Sequence, residues 1–404
     1  MRIFWNSYIT GPILGVLWAF VIATTVSVLL SFMTGEAFRP GLIGCLLLGA
    51  LVGVVSVEPF DRRLLAAGAV ILTLALTYTP FGPIHVAETV GLGGHLAVAV
   101  GFGIGLAWPI LVMFDGCPKG ALNRHEWEEA VIRFLTGFGY IFFTAAVAIP
   151  FYVMVMTSLK TQGELIANPL DFTIDLSRGW ALLRSYEELF RDFNFGSYLW
   201  TSFYISILTV LITLLFSIPG AYAVARLRFK GQKSLSRSIL LIYMVPMIVL
   251  ALPIYIAFSM TGLRNSITGI VMIYPVTTIP VALYMLQGYF RGLPAEIEEA
   301  GLMDGLSRLQ VIWKITLPLS LPALASVSLY VFMIAWNEFL LAFMLLDDPS
   351  KFTLTRGIAS LNSSEIPRQH LMAGAVIATV PVMALFLGLE KFMTRGLTAG
   401  SVKG

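Results

Sequence analysis

Apolar positions gather into ten long runs, approximately 8–32, 41–57, 64–80, 91–114, 136–158, 199–223, 238–259, 266–288, 319–345 and 371–392, joined by polar connections. A helix that crosses a bilayer needs ~20 mostly apolar residues, so the pattern predicts an all-α integral membrane protein. The third run is the least regular, because Pro80 and Pro83 crowd its end. Pro246, Pro253, Pro275 and Pro280 predict kinks in the seventh and eighth runs, where a ring without an N–H interrupts the hydrogen-bond ladder. Kinks of this kind serve gating in some proteins and are also common in membrane helices generally. Composition agrees: 57% hydrophobic residues, 12% charged and a mean hydropathy of +0.85 exclude an ordinary soluble protein.

The runs fall into two parts. Residues 1–115 hold four of them with short loops and no motif tied to chemistry. Residues 116–135 form a charged junction that reads as turn and then, after Asn123, as helix. Residues 136–404 hold the remaining six runs. Lys and Arg favour one side. With the N-terminus cytoplasmic and ten spans, 17 of the 26 lie in inside segments, a bias that predicts both termini inside. Four of the outside charges lie in the connection 159–198, which is long enough to weaken the rule there. The first run lacks a small-residue cleavage site and reads as a retained helix. The net charge of +3 is spread over the loops, so no nucleic-acid surface is implied. Cys45 in a run and Cys117 in a loop make no disulfide framework.

One polar insert stands out, residues 294–318 between two apolar runs. Pro294 suits a first helical position, and Glu296, Glu298 and Glu299 suit the positive end of a helix. Ile297, Ala300 and Gly301 share a face at i, i+3, i+4 spacing, where two small residues admit a close partner. Asp304-Gly305 supplies a turn, and a second short helix, roughly 307–316, ends at Leu317-Pro318. An ordinary polar loop with local helix is the plainer reading of a short match. The pattern Glu299-Ala300-Gly301, Asp304-Gly305, Ile315, Leu317-Pro318 resembles the EAA loop of permease subunits of binding-protein-dependent ABC importers. Of the residues in the insert, the resemblance assigns ATPase coupling to Glu298, Glu299, Ala300, Gly301, Asp304, Gly305, Leu317 and Pro318.

Further stretches are similar to the MalG-like carbohydrate group of these permeases, with its MetI-like transmembrane domain: Ser185-Tyr-Glu-Glu-Leu-Phe190 with Phe193-Asn-Phe195, Ala221 to Gly231, Trp336-Asn337-Glu338-Phe339 and the tail Arg395 to Gly404. The resemblance covers about 270 residues. It implies a six-helix type I ABC importer permease core, preceded here by about four extra transmembrane helices. It also implies a heterodimer with a second, MalF-like permease, two ATPase subunits holding ATP and Mg, an extracytoplasmic sugar-binding protein and a bacterial or archaeal cytoplasmic membrane. Thr201-Ser202 stands where the group has Asn-Ser, and Gly301 replaces the second Ala of the loop.

Absences and stripes complete the reading. No Gly-x-x-x-x-Gly-Lys-Ser/Thr phosphate loop occurs, so ATP is expected on a partner and no cofactor on this chain. His85, His95, His125 and His370 show neither metal-ligand spacing nor a nucleophile pairing. Gly101 to Gly105 is a weak helix-packing motif. Ser326, Tyr330, Met333 and Asn337 recur at four, three and four, a polar stripe that suits either a sugar route or hydrogen bonds between helices. Glu338, beside Asn337, is expected in an outward vestibule or in a structural hydrogen bond. The expected cargo is a di- or oligosaccharide such as an α-glucoside. Glycerol phosphate is the alternative within the family, although no span of the core offers an obvious basic residue. An ion-coupled transporter calls for intramembrane charge pairs. A lipid-linked glycosyltransferase calls for ordered acidic residues, and Glu164, Asp171 and Asp175 show no such arrangement.

Overall fold

A computed structural model describes residues 5–58, 60–168, 173–362 and 366–398. The expected family tail therefore lies outside the described residues from position 399 onward, as does Asp171. The chain forms two compact units, Met1–Gly179 and Trp180–Gly404.

The first unit contains α1 (Ser7–Thr34), α2 (Leu42–Val55), α3 (Arg62–Leu76), α4 (Leu92–Met113), α5 (Arg124–Ser158) and the short α6 (Gln162–Ala167). A two-stranded antiparallel ribbon, β1 (Phe38–Pro40) and β2 (Ile84–Val86), pairs Arg39 with His85. The helix starts follow from side chains that satisfy orphan amides. Asn6 caps α1, Asp61 caps α3, and Asn123 with Glu126 forms a reciprocal capping box at α5, where the junction was expected to turn helical. Two ion pairs, Lys119–Glu58 at 2.6 Å and Arg62–Asp115 at 3.0 Å, gather the polar ends of α2, α3 and α4. Arg133 closes α4 by donating to the carbonyls of Val112 and Asp115 at 3.0 and 2.7 Å.

Packing of α1 on α2 depends on glycine. A Cβ added to Gly15 would lie 2.2 Å from the Gly49 carbonyl oxygen, and one on Gly11 would lie 2.4 Å from that of Gly53. No side chain fits there, so the backbones touch, as small residues allow in membranes. At Gly101 and Gly105, the motif noted in the sequence, an added Cβ would meet only Val26 and Ile22 side chains at 3.3 and 3.0 Å. Helix α5, expected to open the permease core, packs on α1 and α4 and belongs to this first unit.

The second unit contains α7 (Arg184–Asp192), α8 (Phe195–Arg226), α9 (Gln232–Tyr243), α10 (Met247–Met260) and α11 (Ile267–Gly292). After these come α12 (Ala295–Met303), α13 (Arg308–Val311), a π turn (Ile312–Thr316), α14 (Leu317–Leu319), α15 (Leu321–Asn337), α16 (Leu340–Leu345), α17 (Leu354–Ser360) and α18 (Arg368–Thr398). Helix α8 lies along α11 and α15, and α15 also packs on α18. Phe195, Tyr274, Leu286, Phe290, Val331 and Trp336 fill the space among them.

Among the described residues six helices are long and apolar enough to cross a membrane, α1, α4, α5, α8, α11 and α18, or seven if the pair 308–319 and 321–337, bent by 79°, is one span. The seventh and ninth expected runs are broken. Pro246, which has no N–H to continue a ladder, separates α9 from α10, and Glu338 takes extended backbone angles (φ −66°, ψ 122°) between α15 and α16. The second and third runs form helices of 14 and 15 residues, ~21–23 Å at 1.5 Å per residue and short of a ~30 Å hydrocarbon core.

Candidate functional site: a helical docking loop and a polar seam

The loop 294–319 is built by local rules. Helix α12 begins after Pro294, with Glu296 and Glu298 in its first turn. It ends in a reversal: the Gly305 amide donates to Leu302 O and the Leu306 amide to Gly301 O, both at 3.1 Å. Gly305 sits at φ +87°, the left-handed position such a C-cap requires. Ser307 and Gln310 then form a capping box that starts α13. The helix loosens into the π turn just before Pro318, which has no N–H for the carbonyl of Lys314. The second helix therefore runs on to Leu319 before the bend into α15, beyond its expected end.

Inward and outward faces of α12 differ from the sequence reading. Gly301 is buried with Glu298, while Ile297, Glu299 and Ala300 are exposed. A Cβ on Gly301 would lie 2.5 Å from Ile315 Cδ1 and 3.4 Å from Leu306 Cδ1. Its small size therefore admits the loop's own second helix, not a close partner. Glu298 also points inward: Tyr222 donates its hydroxyl to Oε2 at 3.3 Å, Thr316 donates to Oε1 at 3.1 Å, and Arg226 Nε lies 3.5 Å from Oε1. Glu299, Asp304, Gly305 and Pro318 are exposed, and Leu317 is half-buried. Sequence reasoning missed the outward apolar rim, made of Ile297, Met303, Leu309 and Trp313, with Met303 88% and Trp313 71% exposed. Four large apolar residues in a polar loop were the available signal.

Two members of the stripe on α15 bond within their own helix. Buried Ser326 donates to Pro322 O and exposed Asn337 to Met333 O, each at 2.9 Å, with half-buried Tyr330 and Met333 between them. Glu338 caps the next helix with its side chain. Its oxygens accept from the Leu341 and Ala342 amides at 2.8 and 3.1 Å, capping α16, and its carbonyl accepts from Thr355 at 2.6 Å. A second polar seam escaped notice: Ser202, Ser206, Thr209, Thr213 and Ser217 recur on the buried face of α8. Thr213 meets Thr278 of α11 at 2.6 Å, and Ser202 accepts from the Leu354 amide at 2.7 Å.

A polytopic helical bundle whose inner seam carries neutral hydroxyls, and whose polar loop leaves apolar side chains uncovered by the rest of the chain, fits a membrane transport component. The family model described as the binding-protein-dependent transport system inner membrane component matches residues 217–398. The inner membrane ABC transporter permease protein YcjP of Escherichia coli K12 is 37% identical over 269 residues, 66% of this chain and 95% of that protein. The trehalose/maltose transport system permease protein MalG of Thermococcus litoralis is 34% identical over 281 residues, 69% of this chain and 99% of that protein. A crystal structure of a bacterial ABC transporter involved in the import of the acidic polysaccharide alginate shares the fold, with TM-score 0.57 and 21% identity over 66% of this chain and 98% of that one. The chain belongs to the ABC importer permease family, in its MalG-like carbohydrate group with a MetI-like transmembrane domain.

Proposed function

We propose that this chain is the permease subunit of an importer for a di- or oligosaccharide, an α-glucoside being the representative cargo. The outward apolar rim of the loop carries the reading, because Ile297, Met303, Leu309 and Trp313, uncovered by the rest of the chain, mark a surface that another protein covers. In this reading a pair of separate ATPase subunits binds ATP and Mg and takes the rim in a groove. This chain then makes and breaks no bonds. A second, MalF-like permease completes the pathway, an extracytoplasmic binding protein delivers the sugar, and both termini are cytoplasmic. Closure of the ATPases on ATP moves the loop, and the bundle alternates between outward and inward access.

The relative named for trehalose and maltose supports a neutral sugar. So does the neutral chemistry of the seam, where the Thr213 hydroxyl of α8 pairs with that of Thr278 of α11. The test is purification in mild detergent, identification of the proteins retained, and reconstitution of the complex in proteoliposomes. ATP-dependent uptake of maltose or trehalose is expected. Uptake of glycerol phosphate with no uptake of either disaccharide would overturn the assignment of cargo.

A further inference from the structure

Glu298 occupies a different position from its neighbours on α12. Glu296, Ile297, Glu299 and Ala300 face outward, whereas Glu298 is 8% exposed. It draws groups from two other elements, Tyr222 and Arg226 at the end of α8 and Thr316 in the π turn. Arg226 also donates from Nη2 to Leu293 O at 2.6 Å, at the joint between α11 and α12. A buried carboxylate needs a cation and hydrogen bonds to offset its lost hydration, and here the cation and one hydrogen bond come from α8 and the other hydrogen bond from Thr316. An ordinary solvated loop would leave this carboxylate in water.

We propose that Glu298 is a positioning residue that fixes the docking loop to the inner end of α8, so that displacement of the loop carries α8 with it. The consequence reaches the bundle interior. Thr213, whose hydroxyl meets Thr278 of α11, lies 13 residues before Arg226 on the same helix, with Pro219 between them, ~20 Å along its axis. A helix fixed to the loop at one end and to α11 by a hydroxyl pair further along forms a continuous mechanical path, with Pro219 as the place where it can bend. The exposed Glu299, one residue on, is left to the partner's surface. The loop thus turns Glu298 inward to transmit motion and leaves Glu299 outward to dock.

This inference rests on the docking-loop reading, and the experiment separates the two. The full complex, with its ATPases and binding protein, is reconstituted as wild type, Glu298→Gln, the exchange pair Glu298→Arg with Arg226→Glu, Tyr222→Phe, Glu299→Gln and Gly305→Leu. Retained ATPase, ATP hydrolysis and maltose uptake are measured on the same vesicles. Glu298→Gln is expected to keep its ATPase and hydrolyse ATP while moving about fivefold less sugar per ATP, the low end of usual coupling factors. Tyr222→Phe shows a smaller loss, and the exchange pair recovers part of the ratio. Glu299→Gln lowers retained ATPase and leaves the ratio near wild type. An unchanged ratio in both Glu298→Gln and Tyr222→Phe, with uptake and hydrolysis falling only in step with assembled complex, would overturn the positioning role and spare the docking reading. Wild-type assembly, hydrolysis and uptake in Gly305→Leu and Glu299→Gln would instead overturn the docking reading itself.

Discussion

Gly305 offers the sharpest perturbation, because the structure separates strain within the chain from contact with a partner. Its φ of +87° is left-handed, and nothing lies within 4 Å of where a Cβ would stand. Among the described residues an added Cβ meets open space, so the cost of Ala is backbone strain alone, about 1–2 kcal/mol for an L residue in this region. That shifts the population of the correctly turned loop by a factor of about 5–30. Ala and Leu bear the same strain, while Asn tolerates left-handed angles better. The series Gly305→Asn, Gly305→Ala and Gly305→Leu therefore orders the causes. Asn is expected nearest wild type, Ala lower, and Leu lowest, with the gap between Ala and Leu reporting bulk against the docked ATPase. The assay is ATP-dependent sugar uptake in vesicles, normalised to permease in the membrane and paired with the ATPase retained on purification. Wild-type uptake by a stably assembled Leu variant would refute the argument, and so would an Asn variant as impaired as Leu. Equal loss in Ala and Leu would show that no partner surface meets this turn.

Replacing the cap of α16 tests Glu338: Glu338→Leu leaves the Leu341 and Ala342 amides unmet, at a cost of about 1–2 kcal/mol, and is expected to reduce assembly more than Glu338→Gln does, whereas normal assembly with lost uptake would return Glu338 to the sugar route. On α7, Arg184 first and His370 second hold the Glu188 carboxyl below its ordinary value of 4.5. A depressed folded pKa gives stability that is present above that value and lost as pH falls through the folded one. Glu188→Gln should therefore lower the thermal midpoint by about 2–4 °C at neutral pH and make little difference well below pH 4.5, and an equal deficit at both would refute the ion-pair account. Burial pushes the Cys117 thiol above its usual range, so a membrane-impermeant maleimide should react slowly after permeabilisation, faster at alkaline pH, and not at all from outside intact cells. Rapid labelling from outside would reverse the proposed orientation, with fully buried Cys45 as the silent internal control.

How much was legible follows from which signals are local. Caps were readable: Asn123 with Glu126 started α5 where the charged junction was expected to become helical, and Asp304-Gly305 turned the loop because only a few residue types accept that backbone. Periodicity was readable on α15 yet overlooked on α8, where hydroxyl residues recur with the same helical spacing. Apolar run length was a poorer guide. It merged α9 with α10 across Pro246, and α15 with α16 across Glu338, because hydropathy averages over a backbone break that a single residue imposes.

The sequence by itself determined the class of this protein: long apolar helices, a polar loop of two short helices, and the residues that begin and end each one. These depend on solvation of side chains and on backbone angles, both of which act within a few residues. Direction belonged to the tertiary structure. Helical spacing put Ile297 and Gly301 on one face, but the approach of Ile315 and of Arg226 turned Gly301 and Glu298 inward and left Ile297 exposed. Gly11 and Gly15 became a helix interface only because Gly49 and Gly53 arrive opposite them. Which side of a helix is inside is decided by partners distant along the chain, and no local pattern contains their positions.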